Sequence, residues 1–265
     1  MTAIVFPGQG SQTIGMVRDF YDNFNLARQI FEEIEDYTQI NLKKIIFENE
    51  ENKLNLTKFS QICIFTASYV IYKTFDYEKN LNSENVNIML GHSLGEYTAL
   101  ACSDKISLKD CSLILKKRGE LMNFAVTPNE TGMAALIGLP VNKIQEIIDN
   151  NNLKLEIAND NSEIQIVISG QVENLNKSKD LFLKNNVKKF VLLNVSAAFH
   201  SKYMLDAQKA LAKEINNLTF KHNEIKIISN YDADIHNDNK FIKNNLQKQM
   251  ANRVNWTQSI KKLEE

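Results

Sequence analysis

The sequence has no excess of charge of either sign. Its 265 residues include 31 lysines and arginines and 32 aspartates and glutamates, which give a formal net charge of -1 at pH 7. A protein that binds nucleic acid through phosphate contacts needs a basic excess or at least a basic face. The short basic runs at 116–118 and 188–189 are local exceptions, and such runs are usually solvated faces. The charge balance therefore argues against a nucleic-acid-binding protein.

Cysteine is scarce, and long apolar runs are lacking. Cys63, Cys102 and Cys111 stand far apart, without the spacing of metal ligands, and we expect them to be reduced thiols. No apolar run approaches the roughly 18 residues of a membrane-spanning helix. The N-terminus passes from MTA straight into the strand-like IVF, without a cationic leader. The sequence thus predicts a cytoplasmic protein that has no membrane partner.

Strand-like and helix-like patterns alternate along the first part of the chain. The apolar spacing predicts strands at 3–6 and 86–90, helices over 26–37 and 62–75, and a further helix after residue 93. A β-α-β order favours a parallel sheet covered by helices on both faces. With 43% hydrophobic and 24% charged residues, the composition is that of a globular protein with a full core.

The pattern changes between residues 126 and 196. The predicted strands are 134–139, 153–158, 164–169 and 189–195, and the predicted helices are 141–149 and 172–185. Their β-α-β-β-α-β order is typical of a ferredoxin-like domain. We therefore predict a parallel-sheet, hydrolase-like α/β domain at 1–125 and 197–265, with a ferredoxin-like domain inserted at 126–196. After the insertion the pattern predicts a helix over 203–215, a strand over 225–229 and a final helix.

Ser93 lies within GHSLG, directly after the predicted strand at 86–90. On its own, G-x-S-x-G is a weak signal, since it occurs by chance in roughly one chain in ten of this length. Strand, tight turn and helix in succession nevertheless predict a nucleophile elbow, which exposes a serine hydroxyl at the carboxyl edge of a sheet. The N–H of Leu94, at the helix start, could then point at a developing oxyanion. We interpret Ser93 as a nucleophile, the alternative being an ordinary turn residue.

A serine nucleophile needs a base, and the sequence contains four histidines. His222 and His236 stand among asparagines and aspartates and are predicted to lie on the surface. His92 adjoins Ser93, and because adjacent elbow side chains diverge, we expect it to line the site. His200 lies where the inserted segment returns to the large domain, and sites often form at such seams. His200 is therefore the predicted general base.

Four segments carry a more specific signal: FPGQGSQ at 6–12, GHSLGEYTAL at 91–100, KKRGELM at 116–122 and NVSAAFHS at 194–201. In order and spacing they resemble the signature segments of the malonyl-CoA:acyl carrier protein transacylases, and the similarity runs over essentially the whole chain. The resemblance implies that Ser93 attacks malonyl-CoA and that His200 is the general base. It also implies that the N–H groups of Gln9 and Leu94 form the oxyanion hole.

The resemblance implies roles for further residues. Arg118 would bind the free malonyl carboxylate, which a guanidinium can hold with two parallel hydrogen bonds. Without the resemblance, an arginine after two lysines is more often surface charge. Phe199 agrees with the malonyl-selective form of its motif. The main-chain carbonyl of Gln249 would orient His200, and Asn230 would support the site.

The reaction that the resemblance implies is ping-pong acyl transfer. The malonyl group passes from coenzyme A to the serine as an ester and then to the phosphopantetheine thiol of acyl carrier protein, supplying fatty-acid elongation. The implied partners are malonyl-CoA and acyl carrier protein. We expect no metal or bound cofactor.

Two alternatives remain open. One is a serine hydrolase, such as a thioesterase or a patatin-like lipase, in which water would take the acyl group. Many such enzymes orient the histidine with an acid, and Asp206, Asp232 and Asp234 follow His200 in sequence.

The other alternative is a non-catalytic carrier-binding module. It is considered because the sequence stops at KKLEE, whereas the family continues through a strand, a turn and a closing helix. We expect a truncated form that is less stable and more prone to associate.

Overall fold

The computed structural model describes residues 2–78, 85–126 and 130–264. Its strands are β1 (Thr2–Phe6), β2 (Val86–Gly91), β3 (Thr131–Ile137), β4 (Leu155–Ser162), β5 (Gln165–Gln171), β6 (Lys189–Leu192), β7 (Lys226–Ile228) and β8 (Ile235–His236). Its helices are α1 (Arg18–Asn23), α2 (Asn25–Thr38), α3 (Thr57–Tyr77), α4 (Leu94–Cys102), α5 (Leu108–Phe124), α6 (Val141–Asn150), α7 (Val172–Lys184), α8 (Leu205–Asn217), α9 (Asn239–Lys248) and α10 (Trp256–Glu264). Within the described ranges, no helix combines the length and the apolar character that a membrane crossing requires.

The chain divides into two compact units. The first comprises Met1–Glu120, Lys213–Ser229 and Ile235–Lys243, and the second comprises Leu121–Ala212, Asn230–Asp234 and Asn244–Glu265. These units are defined by spatial proximity, and their bounds differ from the predicted domain bounds of 1–125 with 197–265 and 126–196. The predicted domain division stays a prediction.

The first unit contains a sheet with the strand order β1-β2-β7-β8. β2 pairs in parallel with both β1 and β7, whereas the short β8 runs antiparallel to β7. The interior strand β2 buries Ile88, Met89 and Leu90 in succession, which is the continuous apolar run expected of a central parallel strand. The predicted α/β fold with a parallel sheet is confirmed.

Helix α3 of the first unit is apolar on nearly all sides, as its sequence predicts. Ile62, Phe65 and Val70 are all fully buried. The helix begins at Thr57, well before the predicted start. The prediction missed the first turns because the side chains that they bury are polar, and a hydrophobic pattern does not reveal them. Thr57 and Gln61 lie one turn apart on the same face of these first turns, and both are buried.

The second unit contains a sheet with the strand order β4-β5-β3-β6, in which every pairing is antiparallel. Its elements follow one another as strand, helix, strand, strand, helix and strand, in the predicted order. Helix α6 contributes Ile144 and Ile148 to the core of this unit, and α7 contributes Leu175 and Phe182. The amphipathic spacing of these residues explains why both helices were predictable from sequence.

Other predicted bounds were wrong as well, among them the strand predicted over 189–195, which ends at Leu192. The strand predicted over 134–139 ends at Ile137, because Gly138 takes a φ of 116° that leaves the extended conformation. The single final helix is in fact two helices, α9 and α10. The break follows from asparagine chemistry: the Asn252 side-chain amide donates to the Lys248 carbonyl at 2.8 Å, offering the end of α9 a partner outside the helix.

All three cysteines are buried free thiols of the first unit, and we expect them to be inert in the native protein. Burial raises the pKa of Cys63, Cys102 and Cys111, because desolvation disfavours the reactive thiolate. Iodoacetamide at about pH 8 should leave the native protein unlabelled and should label all three thiols in guanidinium chloride. Mass spectrometry of both samples tests this, and rapid labelling of any native cysteine would contradict the assigned burial.

Candidate active site

Ser93 forms the turn between β2 and α4. Its φ of 54° and ψ of -107° are unfavourable for a residue with a side chain, and strain of this kind clusters at functional sites. The turn is tight because a Cβ on Gly91 would lie only 2.0 Å from the carbonyl carbon of Gly95. A Cβ on Gly95 would lie 2.6 Å from the carbonyl oxygen of Phe6 in β1. Both motif glycines are therefore required by backbone contacts, and the geometry is that of a nucleophile elbow.

We expect Gly91→Ala to destabilise the protein by on the order of 3 kcal/mol or more, because the added methyl group meets fixed backbone rather than a movable side chain. Gly132→Ala is the matched control, since a Cβ there would meet side-chain atoms alone, of Val172 at 3.4 Å and of Leu175 at 3.7 Å. Its change should stay within about 1 kcal/mol. Urea unfolding of both variants measures the difference, and equal stabilities would show that the turn can relax.

The elbow lies beside the loop that follows β1. A Cβ on Gly8 of this loop would lie 2.8 Å from Nδ1 of His92, so the two segments are in close contact. Gln9 follows Gly8, and its side-chain amide donates to Thr57 Oγ1 at 3.3 Å. Leu94 is the first residue of α4, so its N–H belongs to the helix turn where partial positive charge collects. Gln9 and Leu94 therefore belong to the two segments that adjoin the Ser93 turn.

Arg118 projects from α5 and is buried, with only 1% of its surface exposed. Its Nη2 donates to Ser93 Oγ at 3.0 Å, and its Nη1 donates to Oε1 of Gln61 in a short hydrogen bond. The Tyr97 ring centroid lies 5.4 Å from the guanidinium carbon, within cation–π range. Desolvation lowers the pKa of Arg118, and Tyr97 and Glu96 act in the opposite direction. A guanidinium nevertheless keeps its proton at neutral pH, so a positive charge is held against the serine hydroxyl.

His200, in the second unit, is buried and held in a strained conformation with a φ of 53°. Its Nδ1 lies 3.1 Å from the carbonyl oxygen of Gln249 and 3.1 Å from that of Asn252. A carbonyl can only accept a hydrogen bond, so Nδ1 must carry the proton. In the neutral ring Nε2 is then the basic nitrogen, as proton abstraction by this residue would require.

Hydrogen bonds fix the segment around His200. Thr131 Oγ1 accepts from the N–H of Ala198 at 3.1 Å, and Ser169 donates to the carbonyl of Phe199 at 2.7 Å. Phe199 is itself buried. Asn230 is fully buried as well, and its carbonyl accepts from the Asn255 N–H at 3.0 Å. The second unit therefore holds Phe199, His200, Asn230 and Gln249 as ordered residues, while the first unit holds Gln9, His92, Ser93, Leu94 and Arg118.

The other two histidines have different surroundings. The His222 side chain is 70% exposed, as predicted. His236 was also predicted to lie on the surface, but it is half-buried and stacks on Phe241, with ring centroids 5.9 Å apart. Among the residues that the structure describes, no cluster of histidine, cysteine, aspartate and glutamate could hold a metal ion.

A strained serine between a strand and a helix is typical of enzymes that use serine as an acyl-group nucleophile. A family model described as acyl transferase domain matches residues 3–265, and the chain belongs to this family.

Within this family, the chain is similar to proteins that are named as malonyl transacylases or malonyltransferases. The malonyl CoA-acyl carrier protein transacylase of Bacillus subtilis (strain 168) is 34% identical over 265 residues, covering 98% of this chain and 82% of that protein. The crystal structure of acyl-carrier-protein-S-malonyltransferase from Bartonella henselae is 35% identical with a TM-score of 0.94, covering 100% of this chain and 85% of that one. A third solved structure is described as a type II PKS acyl-carrier protein in complex with its malonyl-transacylase. The matched chain is 30% identical with a TM-score of 0.91, and the match covers 99% of this chain and 84% of that one. The resemblance that the four motifs predict is confirmed.

Proposed function

We propose that this protein transfers a malonyl group from malonyl-CoA to the phosphopantetheine thiol of an acyl carrier protein, through a malonyl ester of Ser93. One observation carries the proposal: the buried Arg118 guanidinium lies 3.0 Å from Ser93 Oγ. A buried cation beside the nucleophile favours an acyl group that brings its own negative charge, and the malonyl carboxylate does so. The names of the relatives agree with this substrate.

In the first half-reaction Ser93 Oγ attacks the thioester carbonyl of malonyl-CoA, and His200 Nε2 accepts the hydroxyl proton. The N–H groups of Gln9 and Leu94 stabilise the oxyanion that forms. The C–S bond then breaks, and the protonated His200 gives its proton to the departing coenzyme A thiolate. The products are the malonyl ester of Ser93 and free coenzyme A.

In the second half-reaction the phosphopantetheine thiol gives its proton to His200 and attacks the ester. Breaking the ester bond returns the proton to Ser93 and leaves a malonyl thioester on the carrier. Throughout, the carbonyl of Gln249 accepts from Nδ1 and keeps the imidazole in the tautomer that can act as a base. His92, Phe199 and Asn230 are proposed to line and support the site. No step requires a metal or a bound cofactor.

We also propose the finer fold assignment. Residues 126–196 form a ferredoxin-like domain, inserted into a hydrolase-like α/β domain at 1–125 and 197–265. The antiparallel strand order β4-β5-β3-β6, with α6 joining β3 to β4 and α7 joining β5 to β6, supports this assignment. We propose a cytoplasmic location and a role in fatty-acid elongation. We also propose that the protein binds neither nucleic acid nor a membrane.

Incubation with malonyl-CoA and holo-acyl carrier protein tests the function. The proposal predicts malonyl-carrier and free coenzyme A in equal amounts. Free malonate without malonyl-carrier would instead identify a hydrolase. No reaction, combined with binding of the carrier, would identify a carrier-binding module. Omitting the carrier is the control, because only the small amount of coenzyme A released by ester formation should then appear.

A further inference from the structure

We infer that Gln61 is a positioning residue that sets the selectivity for the malonyl carboxylate by fixing the Arg118 guanidinium. This inference rests on the proposed malonyl transfer. Gln61 is fully buried in α3, and its Oε1 accepts a hydrogen bond from Nη1 of Arg118. The other terminal nitrogen, Nη2, donates to Ser93 Oγ at 3.0 Å. A planar guanidinium held at both terminal nitrogens has a fixed position and a fixed plane.

The packing of two helices makes this contact possible. Gly119, next to Arg118 on α5, lies against the start of α3, where an added Cβ would be 3.1 Å from the Thr57 carbonyl oxygen. The missing side chain lets α5 approach α3 closely enough for the buried hydrogen bond. Thr57, one turn before Gln61 on the same face, accepts from the side chain of Gln9. One face of α3 therefore holds both the guanidinium and the loop that carries Gln9.

The chemistry of an amide suits this position. A carboxylate here would pair with the Arg118 charge and compete with the malonyl carboxylate for the same donors. An amide oxygen orients the guanidinium through the same kind of hydrogen bond and adds no charge of its own. A residue without an acceptor would leave one end of a buried charged group free to turn away from the substrate. Gln61 therefore fixes the guanidinium of Arg118 without placing a further negative charge beside it.

Two near-isosteric variants separate these effects. Gln61→Met removes the acceptor and should lower kcat/KM for malonyl-CoA about tenfold, mainly through KM. Gln61→Glu keeps the shape and adds the competing charge, and it should lower the same constant about 100-fold. Acetyl-CoA has no free carboxylate, so its kcat/KM should change by less than about threefold in both variants. Competitive inhibition by free malonate should weaken in parallel with the loss of kcat/KM for malonyl-CoA.

Gln29→Met and Gln29→Glu are the matched controls, because Gln29 is an exposed glutamine on α2. They should leave both substrates unaffected. Equal losses for malonyl-CoA and acetyl-CoA in the Gln61 variants, or no loss at all, would overturn the role of Gln61 and leave the proposed function standing. A wild-type protein that transfers no malonyl group would overturn the proposed function and this inference together.

Discussion

Ser93→Ala and His200→Ala should each remove nearly all malonyl transfer, and the double variant should be little slower than either single variant. The expected loss in kcat is on the order of 10⁴-fold or more for each. In the proposed reaction His200 moves the proton of Ser93, so either residue is ineffective without the other and the two losses should not multiply. Steady-state release of coenzyme A in the presence of carrier protein measures all three variants.

His222→Ala is the control for this cycle, because its side chain is 70% exposed and it takes no part in the proposed reaction. Its kcat should equal that of the unmodified protein. A double variant that loses the product of the two single losses would show that Ser93 and His200 act independently. His200 would then not be the base for Ser93.

Arg118→Ala should lower kcat/KM for malonyl-CoA about 150-fold, which corresponds to a loss of transition-state stabilisation on the order of 3 kcal/mol. The reason is that the malonyl carboxylate would be desolvated without a partner. Acetyl-CoA should lose far less, since it brings no carboxylate to the site. The ratio of the two specificity constants is the measured quantity. It separates loss of selectivity from any general damage that follows removal of a buried side chain.

Lys117→Ala is the matched control, since Lys117 is the exposed neighbour of Arg118 on α5. It should leave both specificity constants unchanged. If Arg118→Ala lowered the constants for malonyl-CoA and acetyl-CoA equally, Arg118 would be a structural residue and selectivity would need another source.

The elements that were predictable from sequence are those determined by local pattern. The apolar run of β2 and the glycines on either side of Ser93 are adjacent in the chain, so the strand, the tight turn and the following helix can be predicted together. The helices α6 and α7 were predictable for the same reason, because their buried residues recur at helical spacing. Local pattern also explains why the final helix was predicted as one element, since nothing in an apolar period marks the break between α9 and α10.

The contacts that sequence could not predict join distant positions. Arg118 follows two lysines and would be placed on the surface by its neighbours, yet it is among the most deeply buried side chains of the first unit. Its partner Gln61 lies 57 positions earlier in the chain. The second carbonyl beside His200, that of Asn252, lies 52 positions away. Such pairs are set by how helices and loops pack, and a single sequence carries no signal of that packing.

Mass spectrometry of the protein after incubation with malonyl-CoA, without carrier protein, tests the central claim most directly. The predicted result is one malonyl group per chain, located by peptide sequencing at Ser93, and its disappearance when holo-carrier is added. Ser93→Ala should remain unlabelled under the same conditions. A malonyl group on any other residue, or a label on Ser93 that the carrier cannot remove, would contradict the proposed reaction.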